Sequence, residues 1–280
     1  MSDSDDEMPT LSLHALAALN EFKQEEKQRL EKFEKLYQSA EDDYDSRGIN
    51  DGKTDENNNN NNNNNNGNSE NGYELNYNEN DEITIDDFKE DWQLSQFWYA
   101  DKTANILADE LLDGADEDTT ICIVSAPSVF AAIRSRPLRS LPTKKIYLFE
   151  FDKRFSVLSG KNNFGFYDYN EPLEFRDDLK GKIDRLLIDP PFLEPECQTK
   201  SSISAKALLR ESSENCKLKT KSGVLKHRLI SCTGERMAEL MLKTYPNFHI
   251  TDFYPEHKNG LSNEFRCYAD FEGKNWKYES

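Results

Sequence analysis

Short apolar runs alternate with helical patterns through the last two thirds of the chain, and this alternation constrains the fold more than any other feature. Strand-like runs occur at 119–124, 145–149, 183–188, 228–232, 248–253 and 265–271. Helical patterns occur from Asp101, a candidate N-cap, to Gly114, and at 128–134, 202–210 and 235–245. Short strands alternating with helices predict an α/β domain with a mainly parallel sheet. The last two runs have no helix between them, so they are predicted to pair antiparallel.

The first 90 residues have a different composition. The chain carries 35 Lys and Arg against 53 Asp and Glu, and nearly all of the acidic excess lies in residues 1–90. Residues 1–40 are predicted to be an acidic segment with an amphipathic helix over 11–40, which either docks on its own domain or binds a partner. Residues 41–90 include ten consecutive asparagines and few apolar groups, which predicts a disordered linker. Residues 91–280 are the predicted folded α/β domain.

Composition argues against several classes of protein. The sequence contains no stretch of 18 apolar residues, which a membrane-spanning helix would need, and the acidic first residues do not resemble a signal peptide. The five cysteines are widely spaced without a CxxC pair, which argues against zinc and against disulfides. The nearly balanced charge of residues 91–280 argues against stable nucleic-acid binding, although lysines 217, 219, 221 and 226 form a local basic strip. A reducing setting, cytosolic or nuclear, fits these features, and we expect a cytoplasmic protein. We also expect it to be a monomer.

The strongest candidate site directly follows the apolar run 186–188. It consists of Asp189, Pro190, Pro191 and Phe192. Two prolines cannot continue a central strand because they lack N–H donors, so the chain must leave the sheet there. The Asp189 carboxylate and the Pro190 carbonyl can both accept hydrogen bonds from one amine, and Phe192 offers a flat face to a base or an alkylammonium group. This pattern favours group transfer to nitrogen over an ordinary Asp-Pro turn.

Asp-Pro-Pro-Phe at a strand end resembles the motif of amino-methyltransferases that use S-adenosylmethionine. Other matching segments are QFWYADKTA (96–104), VSAPSVF (124–130), LFEFDKRF (148–155), FYDYNEP (166–172), CTG (232–234) and NEFRCY (263–268). Over about residues 92–272 the set resembles the eukaryotic elongation factor 1A lysine methyltransferases, once labelled as N6-adenine methyltransferases. The resemblance implies a Rossmann-like seven-stranded sheet with helices on both faces and an antiparallel last strand. It also implies S-adenosylmethionine as cofactor, no metal, and a lysine of elongation factor 1A as substrate.

The same resemblance implies where the cofactor binds. The loop after the first strand is expected to approach it, although it lacks the usual glycines; it consists of Ser125, Ala126, Pro127 and Ser128. Glu150, at the end of the second strand, is the expected ribose ligand because a carboxylate can accept from both hydroxyls. Asp152 is its rival, and the alternative role of either carboxylate is helix capping. Asp168 is expected to accept from the adenine amino group. The aromatic entry segment adds Tyr99, Asp101 and Thr103.

Three functions remain open on the residues alone. In the first, the apolar surroundings of Pro190, Pro191 and Phe192 favour loss of the proton from a substrate lysine, and Asp189 orients the amine. In the second, Phe192 stacks on a flipped adenine of nucleic acid. In the third, the protein is an inactive binding module of the same fold, an interpretation that the missing glycines support.

The segment 263–268 has no assigned role. Glu264 and Arg266 are two residues apart and share a strand face, so a salt bridge to a neighbouring strand is the simplest explanation of the pair. His257 lies in the preceding loop, where it either faces the substrate or is solvated.

Overall fold

The computed structural model describes residues 84–210, 218–260 and 264–279, together with six helical positions between Asn20 and Glu31. The chain divides into two units, Met1–Lys53 and Thr54–Ser280. Most of the predicted helix 11–40 and most of the predicted linker 41–90 lie outside the described residues, so both stay predictions. None of the described helices combines the length and the apolar character that a membrane crossing requires.

Within the described ranges, seven strands form one mixed sheet in the order β3-β2-β1-β4-β5-β7-β6. The strands are β1 (Ile121–Val124), β2 (Ile146–Glu150), β3 (Phe164–Phe166), β4 (Arg185–Ile188), β5 (Arg228–Gly234), β6 (His249–Ile250) and β7 (Phe265–Ala269). The first five pair in parallel, and β7 is antiparallel to both β5 and β6. The predicted α/β class with an antiparallel last strand is therefore confirmed.

The described residues of 84–210, 218–260 and 264–279 include five α-helices. They are α1 (Asp101–Leu112), α2 (Pro127–Arg134), α3 (Ser156–Ser159), α4 (Pro195–Leu208) and α5 (Ala238–Thr244). Ala100, and not Asp101, occupies the N-cap position of α1, while Gly114 ends the segment at a φ of +63°. Helix α4 begins seven residues before the predicted start, because Pro195 at its first turn loses no hydrogen bond there.

The core covers both faces of the sheet. Cys122 and Val124 pack on one side in a cluster with residues of α4 and α5. Ile121 and Ile123 alternate with them, so they face the other side, and they are fully buried too. Strands buried on both faces read as continuous apolar runs, which is why the sequence pattern located β1 and β4.

Strand β3 was not predicted from the sequence. It has only three residues, Phe164–Phe166, with a glycine in the middle. Gly165 is required there because a Cβ would lie 2.4 Å from the ring of Phe149 in β2. Because the two strands lie so close together, β3 carries a glycine where a strand would normally show an apolar or β-branched residue, and the sequence pattern is lost.

Candidate active site

A cavity of about 330 Å³ lies at the carboxyl ends of β1, β2 and β4. In an open parallel sheet, ligands bind at this edge. The cavity brings together all but two of the predicted site residues: Tyr99, Ser125, Ala126, Pro127, Ser128, Glu150, Asp168, Asp189, Pro190, Pro191 and Phe192. Their placement agrees with the predicted roles, which stay predictions.

Asp101 and Thr103 are the two predicted cofactor residues that do not line this cavity. The Asp101 carboxylate pairs with Lys258 Nζ at 3.2 Å. The buried Thr103 hydroxyl accepts a hydrogen bond from the backbone N–H of Glu256 at 3.0 Å. The first turn of α1 therefore anchors the loop around residue 257, and the cofactor role predicted for these two side chains stays a prediction.

The Asp189 carboxylate is held by a tyrosine from a distant part of the chain. Tyr99 Oη donates to Asp189 Oδ2 at 2.6 Å, a short hydrogen bond of the kind that ionised acceptors form. Burial raises the pKa of Asp189 to about 7, while the bond from Tyr99 acts in the opposite direction. Burial and the neighbouring carboxylate hold the pKa of Tyr99 well above its usual value, so its hydroxyl remains a donor.

Tyr99 is itself positioned from two sides. Its backbone N–H donates to Ser128 Oγ at 3.3 Å, which ties it to the start of α2. The ring of His257 packs against the Tyr99 ring with centroids 4.8 Å apart, and the two residues also form a backbone bridge. The side chain is only 1% exposed. The direction of the bond to Asp189 is therefore set by packing.

Glu150 is a buried carboxylate with spare acceptor capacity. Its Oε1 accepts the backbone N–H of Phe151 at 3.0 Å. Within the part of the chain that the structure describes, no donor is recorded for Oε2. Burial raises the pKa of Glu150 to about 8, because the carboxylate is desolvated without a compensating cation. A ligand hydroxyl that donated to this carboxylate would stabilise its ionised form.

Asp152, the rival ribose ligand, is already engaged. Its Oδ1 accepts the backbone N–H of Arg154 at 3.0 Å, which caps the 3₁₀ turn Lys153–Phe155. Its Oδ2 accepts from Gln96 Nε2 at 3.0 Å. The capping role therefore belongs to Asp152, and the geometry favours Glu150 as the residue that faces the cofactor.

The loop after β1 has no glycine, and a serine adopts the backbone conformation for which a glycine would be expected. Ser125 has a φ of +57°, in the left-handed region that normally favours glycine. Its N–H donates to the Phe149 carbonyl at 2.9 Å, so the strained residue is anchored to β2. Pro127 then begins α2, which places the N-terminus of that helix beside the cavity.

Residues 167–170 and Phe192 form another part of the cavity lining. Asp168 Oδ1 accepts the backbone N–H of Asn170 at 2.8 Å. The Tyr169 ring meets the Phe192 ring in an edge-to-face arrangement, with centroids 5.7 Å apart. Phe151 and Asn170 are lining residues that had no role from the sequence. Each directly or nearly follows an assigned residue, Glu150 or Asp168, and that proximity was the available signal. His257, for which the sequence left two alternatives open, lines the cavity as well.

The described residues contain no group of three or more His, Cys, Asp or Glu side chains that could hold a metal ion. The sheet order, the carboxylate at the end of β2 and the Asp-Pro-Pro-Phe exit from β4 define the class of seven-stranded methyltransferases.

Comparison with known proteins narrows the class to a family. Residues 90–273 match the family model described as "Probable N6-adenine methyltransferase". The chain is 56% identical to protein-lysine N-methyltransferase EFM5 of Saccharomyces cerevisiae over 97% of this chain and 95% of that protein. It is 34% identical to EEF1A lysine methyltransferase 1 of Homo sapiens over 97% of each chain. The chain belongs to this family of methyltransferases, and the resemblance noted from the motifs is confirmed.

Solved structures show a more distant likeness. A SAM-dependent methyltransferase from Aquifex aeolicus is 12% identical, with a TM-score of 0.31, over 61% of this chain and 98% of that one. This similarity is too low to identify residues of the site.

Proposed function

We propose that this protein transfers methyl groups from S-adenosylmethionine to the ε-amine of a lysine in translation elongation factor 1A. The observation that carries the proposal is the Asp189 carboxylate, fixed by Tyr99 at 2.6 Å and followed by the Pro190 carbonyl in the same cavity. Relatives named as a protein-lysine N-methyltransferase and as EEF1A lysine methyltransferases support the choice of substrate.

The cavity fits the cofactor. The Glu150 carboxylate, buried and with one oxygen available, suits the ribose hydroxyls, and the loop from Ser125 to Ser128 allows close approach of the backbone. Asp168 and the aromatic side chains beside it suit the adenine. S-adenosylmethionine, when bound, supplies a methyl group that its sulfonium already activates.

The remaining task falls to the residues after β4. A lysine has a pKa of about 10.4 in water, and its ammonium form has no lone pair for the transfer. Contact with Pro190, Pro191 and Phe192 desolvates the ammonium and favours loss of its proton. Asp189 accepts an N–H of the amine and aligns the lone pair, which is a positioning effect. Because burial raises its pKa to about 7, Asp189 is also a stronger base than an exposed aspartate.

The test uses the full chain with methyl-labelled S-adenosylmethionine and purified elongation factor 1A. We expect label on a lysine of the factor, and loss of transfer in Asp189→Ala. The matched control is Asp118→Ala, which removes an exposed aspartate paired with Lys145 before β1. Full activity of Asp189→Ala would show that the motif is misassigned.

The description of the matching family model favours a second candidate, an N6-adenine methyltransferase. Within the predicted basic strip, however, Lys221 pairs with Glu117 and Lys226 with Asp184, so part of its charge is compensated. The same assay with DNA and RNA separates the candidates, because label on nucleic acid and none on the factor would overturn the proposal. An inactive binding module would transfer no label and bind no cofactor. The cytoplasmic location and the monomeric state stay predictions.

A further inference from the structure

A second cavity, of about 510 Å³, adjoins the first. It is lined by Tyr254, Pro255, Glu256, His257, Gly260, Glu264, Phe265 and Arg266. His257 and Phe265 line both cavities, and their rings meet edge-to-face with centroids 4.7 Å apart. These two rings are therefore the common wall between the second cavity and the candidate active site.

The sheet order places this second cavity on the side of β4 away from the predicted ribose ligand. Phe265 opens β7 and pairs with Gly234 at the end of β5, which neighbours β4. The predicted ribose ligand, Glu150, lies on the other side of β4, at the end of β2. His257 packs on Tyr99, whose hydroxyl holds Asp189. One ring contact thus separates the second cavity from the group that fixes the catalytic carboxylate.

One wall of the second cavity is rigid. The Arg266 guanidinium binds the carboxylates of Glu235 and Glu279, each at 2.8 Å. It also lies over the Tyr254 ring, 4.4 Å from the centroid, and the Tyr254 hydroxyl donates to Glu279 at 2.7 Å. The salt bridge expected for Arg266 is therefore present, and it runs to residues outside the segment 263–268. Two carboxylates already pair with this single cation, so the acidic groups around Arg266 outnumber the positive charge.

Two further carboxylates line the second cavity without a recorded salt bridge in the described ranges. They belong to Glu256 and Glu264, both exposed. The carboxyl group of Glu264 shares a hydrogen bond with that of Glu235, and this bond together with the negative charge of Glu235 raises the pKa of Glu264. The charge at the cavity is thus negative beyond what Arg266 balances, and a cationic side chain would relieve the repulsion.

We propose that the second cavity binds the polypeptide next to the target lysine and accepts a basic side chain of that polypeptide between Glu256 and Glu264. The inference rests on the proposed function, because it assigns the chain around the lysine to one side of the same site. In this arrangement the side chain of the target lysine extends from the second cavity, along the rings of His257 and Phe265, to Asp189 in the candidate active site. Burial lowers the pKa of His257 to about 4, so its ring is neutral at working pH and does not repel the ammonium group.

The test is the double variant Glu256→Gln/Glu264→Gln of the full chain, assayed with purified elongation factor 1A. We expect KM for the factor to rise about tenfold at low salt, with kcat and the affinity for S-adenosylmethionine unchanged. The difference from wild type should shrink as salt is added, because salt screens exposed charges. Glu239→Gln, which removes an exposed carboxylate of α5 outside both cavities, is the matched control and should keep the wild-type KM.

The variant is expected to fold, because both side chains are exposed and a glutamine at 264 can still donate a hydrogen bond to Glu235. Its melting temperature is measured to check this. If the wild-type protein methylates the factor and the double variant has the same KM as Glu239→Gln, the proposed subsite is overturned and the proposed function is not. Absence of transfer by the wild-type protein would overturn the proposed function and the subsite with it.

Discussion

Replacing Tyr99 by phenylalanine removes one hydrogen bond from the site and keeps the packed ring. In the wild type that bond reaches Asp189 at 2.6 Å and opposes the effect of burial on the carboxylate. Without it, the ionised form of Asp189 loses its donor, so its pKa must rise above about 7. Because the ionised carboxylate is the form that accepts an N–H of the amine, Tyr99→Phe should be impaired most at low pH.

The size of the effect follows from the strength of the bond. A hydrogen bond to a charged group contributes about 1.5–3 kcal/mol, and 1.36 kcal/mol corresponds to about one pH unit. The acid limb of kcat/KM should therefore move upward by about one to two pH units. Near pH 7, where about half of the wild-type Asp189 is ionised, the variant should lose roughly five- to fiftyfold in kcat/KM.

The assay compares kcat/KM of wild type and variant across pH, since their ratio cancels the titration of the substrate lysine. The ratio should approach one at high pH. Tyr167→Phe is the matched control, because Tyr167 also lines the cavity but its hydroxyl is bonded to Ser204 Oγ at 3.0 Å. A loss that is the same at every pH, or an equal loss in Tyr167→Phe, would refute the role given to the Tyr99 hydroxyl.

Three further predictions concern cofactor binding and stability. Glu150→Gln should weaken the binding of S-adenosylmethionine. In the wild type, the affinity measured by calorimetry should rise as the pH increases through about 8, where Glu150 ionises. This pH dependence should be absent in the variant. Ser125→Gly should leave the free energy of unfolding unchanged or raise it by up to about 1 kcal/mol, whereas Ser125→Val should lower it by roughly 1–3 kcal/mol in urea unfolding, because Ser125 has a φ of +57°. Gly165→Ala should destabilise by about 1–3 kcal/mol, since the added Cβ would lie 2.4 Å from the Phe149 ring; unchanged unfolding would contradict that packing.

The pattern of strands and motifs was sufficient to locate much of the site. Asp189 to Phe192 could be assigned because two prolines after an apolar run leave the chain only one option, which is to exit the sheet. Glu150 could be assigned by resemblance, since it ends a strand whose carboxyl end faces ligands in this class of sheet. Both inferences use information contained within a few neighbouring residues.

Other roles were not readable from such local information. Asp101 and Thr103 are near the aromatic entry segment in sequence, yet they contact Lys258 and the backbone of Glu256. The sequence left Glu150 and Asp152 as rivals because each is an acid near the same strand end. Their contacts separate them: Asp152 caps a turn, while Glu150 keeps an oxygen available toward the cavity.

The order of apolar and polar residues was sufficient for the α/β class, the antiparallel end of the sheet and the position of the Asp-Pro-Pro-Phe exit, because secondary structure and chain reversal depend on near neighbours. The bond from Tyr99 to Asp189, 90 residues apart, and the common wall of His257 and Phe265 exist only after distant segments pack together. Side-chain direction and burial in that packing also set the raised pKa of Asp189 and of Glu150. The chemistry of the site therefore depends on contacts between residues that no local pattern links.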